Sequence, residues 1–216
     1  MPSYRLICPR CRRPEGVCLC PSEPPMHTRT KIVLLTHPKE WKRQNCGTGR
    51  LLRLNIEDVE ILPGLAFDSH PRVTKIVNDP EIFPVLVYPG EGAADISSLG
   101  AAEELARAAD GRRIAAFLID ATWSCSKAVL RASPGLLSLP RIMFTPAQAS
   151  RWVIKRQPGP MCLSTLETVH ELLAALDAAG LDSYPDRTRL IDAFVAMQAV
   201  QVEKARARYV RYKEPG

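Results

Sequence analysis

The sequence predicts an α/β fold with a mostly parallel sheet and helices on both faces. Short apolar runs beside turn residues alternate with helical stretches along the chain, and this alternation is typical of buried strands in a parallel sheet. The chain has 216 residues, of which 46% are hydrophobic and 24% charged. That length and composition suit one large core with a small appended module.

The first segment, residues 1–28, is rich in cysteine, proline and arginine and has no periodicity. Four of its cysteines have the spacing C-x2-C-x6-C-x-C, and thiolates this close in sequence can converge on one tetrahedral zinc. They are Cys8, Cys11, Cys18 and Cys20. Two disulfides are the alternative, but they fit poorly with a chain that shows no secretion signal. We therefore expect a zinc-binding segment over 1–28 and one α/β domain over 29–216.

Four apolar runs predict the strands, and three amphipathic stretches predict the clearest helices. The strands are expected at Lys31–Thr36, Val85–Tyr88, Ile114–Ile119 and Arg141–Phe144. Helices are expected at Gly100–Ala109, from Ser164 to about Gly180, and from about Asp186 to Tyr209. The second of these begins with S-x-x-E, a capping box, and carries Leu166, Val169, Leu173 and Leu176 on one face.

Charge is unevenly distributed along the chain, although the net charge is only +6. Residues 1–53 carry eleven Lys or Arg and three acidic residues. Residues 57–110 carry three Lys or Arg and eleven acidic residues, and residues 112–156 carry eight Lys or Arg and one acidic residue. The single acid of the last block is Asp120. Two basic blocks suggest a positive face for a polyanion such as nucleic acid, and a solvated surface without a partner is the alternative.

Hydropathy predicts a cytoplasmic protein without a membrane partner. No apolar run approaches the roughly 20 residues that span a bilayer, and the N-terminus lacks the apolar core of a signal peptide. The sequence also lacks G-x-G-x-x-G, Walker A and a recognisable Ser/His/Asp grouping. Dinucleotide, nucleotide-hydrolysis and hydrolase functions are therefore less favoured.

Three segments that follow predicted strands carry polar and turn-forming residues: Tyr88–Gly92 (YPGEG), Asp120–Trp123 (DATW) and Thr145–Thr165. Ligands of open α/β sheets bind beyond the carboxyl ends of the strands, so these loops predict a pocket. Each loop alone is weak evidence, because Asp120 could simply cap the next helix and Trp123 could belong to the core.

The motifs, taken together, resemble the DTW-domain family of tRNA-uridine aminocarboxypropyltransferases. The resemblance rests on the cysteine cluster, RT-x-I-V-L-L-T-H-P-x-E from Arg29, T-G-R-L from Thr48, LVYPGEGA, LIDATW and RQPGPMCLSTLE from Arg156. The sequence departs from the family pattern at Ala121, where a glycine is expected, and at QNCG before Thr48, where an Asn would directly precede the threonine. The resemblance implies a SPOUT-like fold with a C-terminal trefoil knot.

It further implies transfer of the 3-amino-3-carboxypropyl group from S-adenosylmethionine to N3 of a tRNA uridine, with release of methylthioadenosine. Asp120 is the candidate base, with a subsidiary role in orienting the substrate, because it is the one carboxylate of its basic block and follows an apolar strand. The cofactor site is expected to include Tyr88, Pro89, Gly90, Thr122, Trp123, Arg156, Leu163, Ser164, Thr165 and Glu167.

The expected nucleic-acid partner is tRNA, and no DNA partner is expected. Its predicted contacts are Lys39, Lys42, Arg43, Arg50 and Arg53 in the first basic block and Lys127, Arg131, Arg151 and Lys155 in the second. The four-cysteine site is expected to support the RNA-facing surface, because a closed site leaves no coordination position for catalysis. A knotted RNA methyltransferase and a non-catalytic zinc-containing RNA-binding protein remain as alternatives, and the sequence predicts no oligomeric state.

Overall fold

A computed structural model of the chain describes residues 6–43, 47–154, 158–159 and 161–213. Six parallel strands form one sheet in the order β2-β1-β5-β3-β6-β4. The strands are β1 Lys31–Thr36, β2 Val59–Pro63, β3 Ile82–Val87, β4 Ala94–Asp95, β5 Arg113–Asp120 and β6 Arg141–Met143. The prediction of an α/β fold with a largely parallel sheet is confirmed.

Seven helices connect and flank these strands within the described residues. They are α1 Pro38–Arg43, α2 Thr48–Asn55, α3 Pro71–Val77, α4 Leu99–Ala109, α5 Trp123–Ala132, α6 Thr165–Ala178 and α7 Arg189–Lys213. Short 3-10 turns at Glu15–Val17 and Pro134–Ser138 complete the regular structure. None of the helices described is both long and apolar enough to cross a membrane.

Helices cover the sheet on both faces, as predicted. On one face α2, α4, α6 and α7 pack against alternate strand residues such as Ile32 and Leu34. On the other face α3 and α5 pack against the intervening residues, such as Val33 and Leu35. Successive side chains of a strand point to opposite faces, so a sheet covered twice needs apolar residues at every position. This explains why β1 is a continuous apolar run.

The strongest local signals gave accurate boundaries. Strand β1 coincides with the predicted Lys31–Thr36 run, and α6 begins with the predicted capping box: Ser164 Oγ accepts from the N–H of Glu167, whose carboxylate accepts from the N–H of Ser164. The four leucine and valine positions predicted for its buried face are all fully buried. Strands β2 and β4 were not predicted; β2 is an edge strand that mixes Glu60 and Pro63 with its apolar residues.

The cysteine-rich segment lies against the main core. An isolated bridge joins Ile7 to Pro14, and a second bridge joins Met26 to Ile56 beside α2. Cys11 and Met26 are buried among the same residues as α2 and α6. The segment is therefore anchored on the helical face that α2 helps to form.

Candidate active site

Asp120 lies at the carboxyl end of the central strand β5 and is only 5% exposed. Its Oδ1 accepts a 2.7 Å hydrogen bond from the hydroxyl of Thr165, the first residue of α6, and its Oδ2 accepts a 3.2 Å hydrogen bond from the hydroxyl of Thr36. Thr36 is its direct neighbour in the register between β1 and β5. Two hydroxyl donors from different elements therefore fix the orientation of the carboxylate.

Helix termini provide a further reason why a carboxylate is tolerated in this buried position. Helix α6 begins at Thr165, α5 begins at Trp123, and the first turn of α2 approaches so closely that a Cβ on Gly49 would lie 3.4 Å from Asp120 Oδ2. The N-terminal end of a helix carries partial positive charge from its unpaired N–H groups. Three such ends therefore lie near Asp120.

The cap of α5 is Thr122 rather than Asp120. The hydroxyl of Thr122 accepts a 3.4 Å hydrogen bond from the N–H of Cys125, and the residue has the extended backbone typical of an N-cap. The alternative interpretation, in which Asp120 serves only to cap the following helix, is therefore wrong. Thr122 itself is exposed at the edge of the sheet.

The loop after β3 lies beside the start of α5. The hydroxyl of Tyr88 is 3.5 Å from Ser126 Oγ, while Pro89 and Gly90 are exposed. Gly90 has a φ of 135°, a conformation that favours glycine. The guanidinium of Arg141 donates to the carbonyl oxygen of Glu91 from below the loop. The structure thus brings the Tyr88–Gly90 and Thr122 positions to one edge.

The third predicted loop is tied to α6 by the buried carboxylate of Glu167, which is 3% exposed. Its Oε1 accepts from the N–H of Arg151 at 2.6 Å, and its Oε2 accepts from Ser150 Oγ at 2.9 Å and from the N–H of Ser164 at 2.8 Å. These bonds, all within the protein, hold the segment around residue 150 against α6. Leu163 is half-buried immediately before the cap.

Several predicted contacts lie outside the described part of the chain. Arg156 and Lys155 are outside the described residues, as is Asn45, and so are the side chains of Arg43 and Trp123. The roles predicted for them stay predictions. The remaining residues of the predicted cofactor site all lie at the carboxyl edge of the sheet or in the first turn of α6.

The predicted RNA-binding cations that the structure describes are divided between the two faces of the sheet. Lys39 and Lys42 are exposed on α1, and Arg50 in α2 lies over the ring of Trp41, with its Cζ 5.5 Å from the ring centre. Lys127 is exposed on α5, which covers the opposite face.

Three other cations of the predicted RNA surface lie on α2, on α5 and in the loop tied to Glu167. Arg53 and Arg131 occupy the last turns of α2 and α5. Arg151 is exposed in the loop tied to Glu167.

Two residues that contact Asp120, Thr36 and Gly49, were not predicted as site residues. Both belong to motifs that the sequence shows, T-H-P and T-G-R-L. Thr36 could have been found from its position as the last residue of an apolar run, since parallel strands end at the same edge. Gly49 had no such signal, because its contact depends on how α2 packs.

A second candidate centre lies in the N-terminal segment, where the sulfur atoms of Cys8, Cys11, Cys18 and Cys20 are all within 4.8 Å of one another. The shortest separations, Cys8 to Cys20 and Cys11 to Cys18, are both 3.6 Å. Sulfurs around a tetrahedral zinc are about 3.8 Å apart, because each Zn–S bond is about 2.3 Å. Four thiols at this spacing could hold a metal ion.

Local backbone geometry prepares one of these thiols for ligation. Hydrogen bonds from the backbone of Cys11 and Arg10 and from neighbouring thiols lower the pKa of Cys8 to about 6, whereas burial and the neighbouring thiols raise the pKa of Cys20 to about 12. A lowered pKa favours the thiolate, which is the form that binds metal. The turn between them is completed by Arg12, whose φ is 55° and whose N–H donates to the carbonyl oxygen of Cys8.

Fold and site together define an α/β protein with a buried carboxylate at the carboxyl edge of its sheet and a cysteine cluster at its N-terminus. A profile of the DTW domain matches residues 5–202, and the chain belongs to the DTW domain family. The resemblance seen in the motifs is therefore confirmed.

Curated relatives include proteins named tRNA-uridine aminocarboxypropyltransferase. The chain is 33% identical over 184 residues to tRNA-uridine aminocarboxypropyltransferase 2 of Drosophila melanogaster, a match that covers 82% of this chain and 69% of the fly protein. The mouse protein of the same name is 30% identical over 175 residues, which are 79% of this chain and 56% of that protein. Aminocarboxypropyltransferase A of Arabidopsis thaliana is 26% identical over 197 residues, which are 82% of this chain and 74% of the plant protein. No solved structure matches the chain significantly.

Proposed function

We propose that this protein transfers the 3-amino-3-carboxypropyl group of S-adenosylmethionine to N3 of a uridine in tRNA and releases methylthioadenosine. The observation that carries the proposal is the buried carboxylate of Asp120, oriented by Thr165 and Thr36 at the edge where the candidate loops meet. The names of the curated relatives support the coarser part of this proposal, the transfer of an aminocarboxypropyl group to a uridine of tRNA.

In this reaction the sulfonium donor supplies an activated carbon and a neutral thioether as leaving group. The N3–C bond forms while the C–S bond breaks, and the bonding electron pair stays on sulfur. The uridine N3–H is weakly acidic, so its proton must be removed as N3 attacks. We assign that proton to Asp120. Thr36 and Thr165 leave each carboxylate oxygen further acceptor capacity, because an ionised carboxylate offers about four lone-pair sites.

The carboxyl edge suits a nucleoside-bearing donor. The 88–92 loop exposes its backbone at Gly90, and Thr122 places an exposed hydroxyl beside it. We propose that Tyr88–Gly90, Thr122, Trp123 and Leu163–Thr165 form the donor site. Arg156 or Ser164 would bind the carboxylate of the transferred group; Ser164 Oγ accepts a hydrogen bond from Glu167 and still has a proton to donate. Glu167 acts by positioning the loop.

We also propose the SPOUT-like, knotted chain path that the family resemblance implies. Strand β5 follows β4 in the chain but lies between β1 and β3, and β6 lies between β3 and β4. We further propose that the cysteine cluster holds structural zinc, that the cations at the carboxyl edge bind tRNA, and that the protein works in the cytoplasm. A fully thiolate-ligated zinc has no open position, so its role would be to support the fold.

The reaction is tested by incubating the protein with bulk tRNA and labelled S-adenosylmethionine, then identifying both products by mass spectrometry. The proposal predicts a uridine that has gained the aminocarboxypropyl group, together with methylthioadenosine. S-adenosylhomocysteine and a methylated nucleoside would instead identify an RNA methyltransferase. The absence of both modified nucleosides, with tRNA still bound, would favour a non-catalytic RNA-binding protein.

The role of Asp120 is tested separately by Asp120→Asn. The amide keeps the size of the side chain but cannot accept the proton, so single-turnover transfer should fall by roughly 10²–10⁴-fold with smaller changes in donor and tRNA affinity. Asp110→Asn is a matched control, because Asp110 is exposed and has a φ of 50°, a conformation that Asn tolerates. A folded Asp120→Asn variant with a wild-type rate would exclude Asp120 as the base.

A further inference from the structure

A groove of about 610 Å³ lies between residues 150–153 and the second half of α7. One wall is the 150–153 segment, and Val195, Ala199 and Val202 line the helical wall. Trp152 anchors the groove, because its ring meets the ring of Phe194 edge to face at a centroid distance of 4.7 Å. The groove is separate from the cysteine cluster.

The segment that forms the first wall is held in one conformation by two buried polar side chains. Glu167 accepts from Ser150 Oγ and from the N–H of Arg151. Gln198 of α7, which is 3% exposed, accepts a 2.7 Å bond from the N–H of Val153 and donates a 2.9 Å bond to the carbonyl oxygen of Arg151. Fixed geometry of this kind is characteristic of a binding surface.

This fixed wall presents apolar surface to solvent. Val153 is 74% exposed and faces the groove with Val195, which is 49% exposed. Exposed apolar side chains that are clustered, rather than scattered, mark sites of interaction. The two walls thus present apolar side chains on which a flat or apolar group can pack.

Charge identifies the class of the occupant. Arg151 and Arg206 line the groove, against one acid, Glu203. The helical sequence beyond the groove, KARARYVRYK from Lys204 to Lys213, contains five Lys or Arg and no acid. Apolar surface beside a row of cations suits RNA, since bases pack on the former and phosphates pair with the latter.

The groove is connected to the candidate base by a series of covalent and hydrogen bonds. Arg151 bonds to Glu167, which is in the first turn of α6. Thr165, in the same turn, bonds to Asp120. The first turn of α6 therefore connects one wall of the groove to the residue that orients Asp120.

We propose that this groove binds a nucleotide of the RNA substrate outside the reacting centre, with its base against Val153 and Val202 and its phosphates on Arg151 and Arg206. The inference rests on the proposed function, because it takes the RNA substrate to be the polymer that is modified at the edge beside Asp120.

The test measures binding of fluorescently labelled tRNA to wild type, Val153→Asp and Arg206→Glu over a range of salt. Each variant should raise Kd about tenfold, because each places a carboxylate against the RNA backbone where the wild type has an apolar side chain or a cation. Arg206→Glu should also reduce the salt slope by about one or more. Arg107→Glu, a charge reversal at an exposed position in the last turn of α4, is the matched control and should bind like wild type.

Two further measurements make the result decisive. Calorimetric titration with S-adenosylmethionine and the melting temperature should be unchanged in both variants, which excludes unfolding. Unchanged tRNA affinity in both variants, with transfer intact, would overturn the groove but not the proposed function. If both variants weaken tRNA binding but the wild-type protein forms no aminocarboxypropyl uridine, the groove stands and the proposed function is overturned. A wild-type dimer that both variants dissociate would show that a second copy covers the groove.

Discussion

The hydroxyl of Thr165 donates a 2.7 Å hydrogen bond to Oδ1 of Asp120, a residue 45 positions earlier in the chain. Thr165 begins α6, whose third residue, Glu167, anchors the loop around residue 150. One turn of helix therefore holds both the candidate base and the segment that follows β6. A change in either would be transmitted to the other through the backbone of this turn.

Thr165→Val should lower single-turnover transfer about tenfold or more, because the carboxylate loses a charge-assisted hydrogen bond that fixes its orientation. The same change should reduce the free energy of unfolding by about 1.5–3 kcal/mol. Thr165→Ser keeps the hydroxyl and should restore the rate. A Val variant with an unchanged rate would show that this bond does not position Asp120.

Gly49→Ala should destabilise the protein by about 1–3 kcal/mol, because the added Cβ would lie 3.0 Å from Leu34 Cδ1 and 3.4 Å from Asp120 Oδ2. Transfer should fall as well, since relieving the contact with Leu34 would shift the first turn of α2, which borders Asp120. The control is Gly100→Ala in the first turn of α4, where nothing lies within 4 Å of the new Cβ. That change should be neutral or stabilise by up to about 1 kcal/mol. Equal melting temperatures for the two variants would contradict this account of Gly49.

Sequence alone located Asp120 and α6 accurately because their signals are local. A polar residue at the end of a fully apolar run marks the edge of a parallel sheet, and S-x-x-E marks the first turn of a helix. The contacts that complete the site are not local. Thr36 and Gly49 reach Asp120 only because β1 pairs with β5 and α2 packs over their ends.

The charge pattern illustrates the same limit of local signals. Two basic blocks suggested one positive face, but α2 and α5 cover opposite faces of the sheet. Arg53 and Arg131, in the last turns of these helices, therefore lie on different sides of the molecule. Side-chain direction depends on which face a helix covers, and linear charge counts do not contain that information.

His170→Asn should make the protein less sensitive to acid. Burial of His170 in α6, beside the hydroxyl of Tyr184 at 3.0 Å, lowers its pKa below the usual 6.5. The unfolded chain then binds a proton more readily than the folded one, so stability is complete above about 6.5 and declines as pH falls through the range down to the folded pKa. The Asn variant lacks this contribution.

Urea unfolding at pH 7 and pH 5 would measure this effect. The decrease in the free energy of unfolding between the two pH values should be larger for wild type than for His170→Asn. Glu171→Gln is a useful comparison, because the neighbouring carboxylate opposes the effect of burial on the pKa of His170. Removing that carboxylate should therefore increase the acid sensitivity. Identical decreases in all three proteins would contradict the assignment to His170.

Cys11→Ser should lose bound zinc and lower the melting temperature. Cys11 is 5% exposed and packs in the main core, so disrupting its site also disturbs the contact of the N-terminal segment with α2. Elemental analysis should find about one zinc per wild-type chain and much less in the variant, because one of four thiolate ligands has been removed. A chelator should lower the melting temperature of wild type but have little effect on the variant.

Cys125→Ser provides the matched control, because Cys125 lies in α5 outside the cluster and its replacement should leave the metal content unchanged.

The contrary outcome is two disulfides, and geometry indicates which they would be: Cys8 with Cys20 and Cys11 with Cys18, each pair with sulfurs 3.6 Å apart. That separation is well beyond the roughly 2.05 Å of a disulfide and close to the spacing around a tetrahedral zinc. Thiol titration of the denatured, metal-free protein distinguishes the two states, because a zinc site yields all seven thiols of the chain, whereas the two disulfides leave only Cys46, Cys125 and Cys162 reactive.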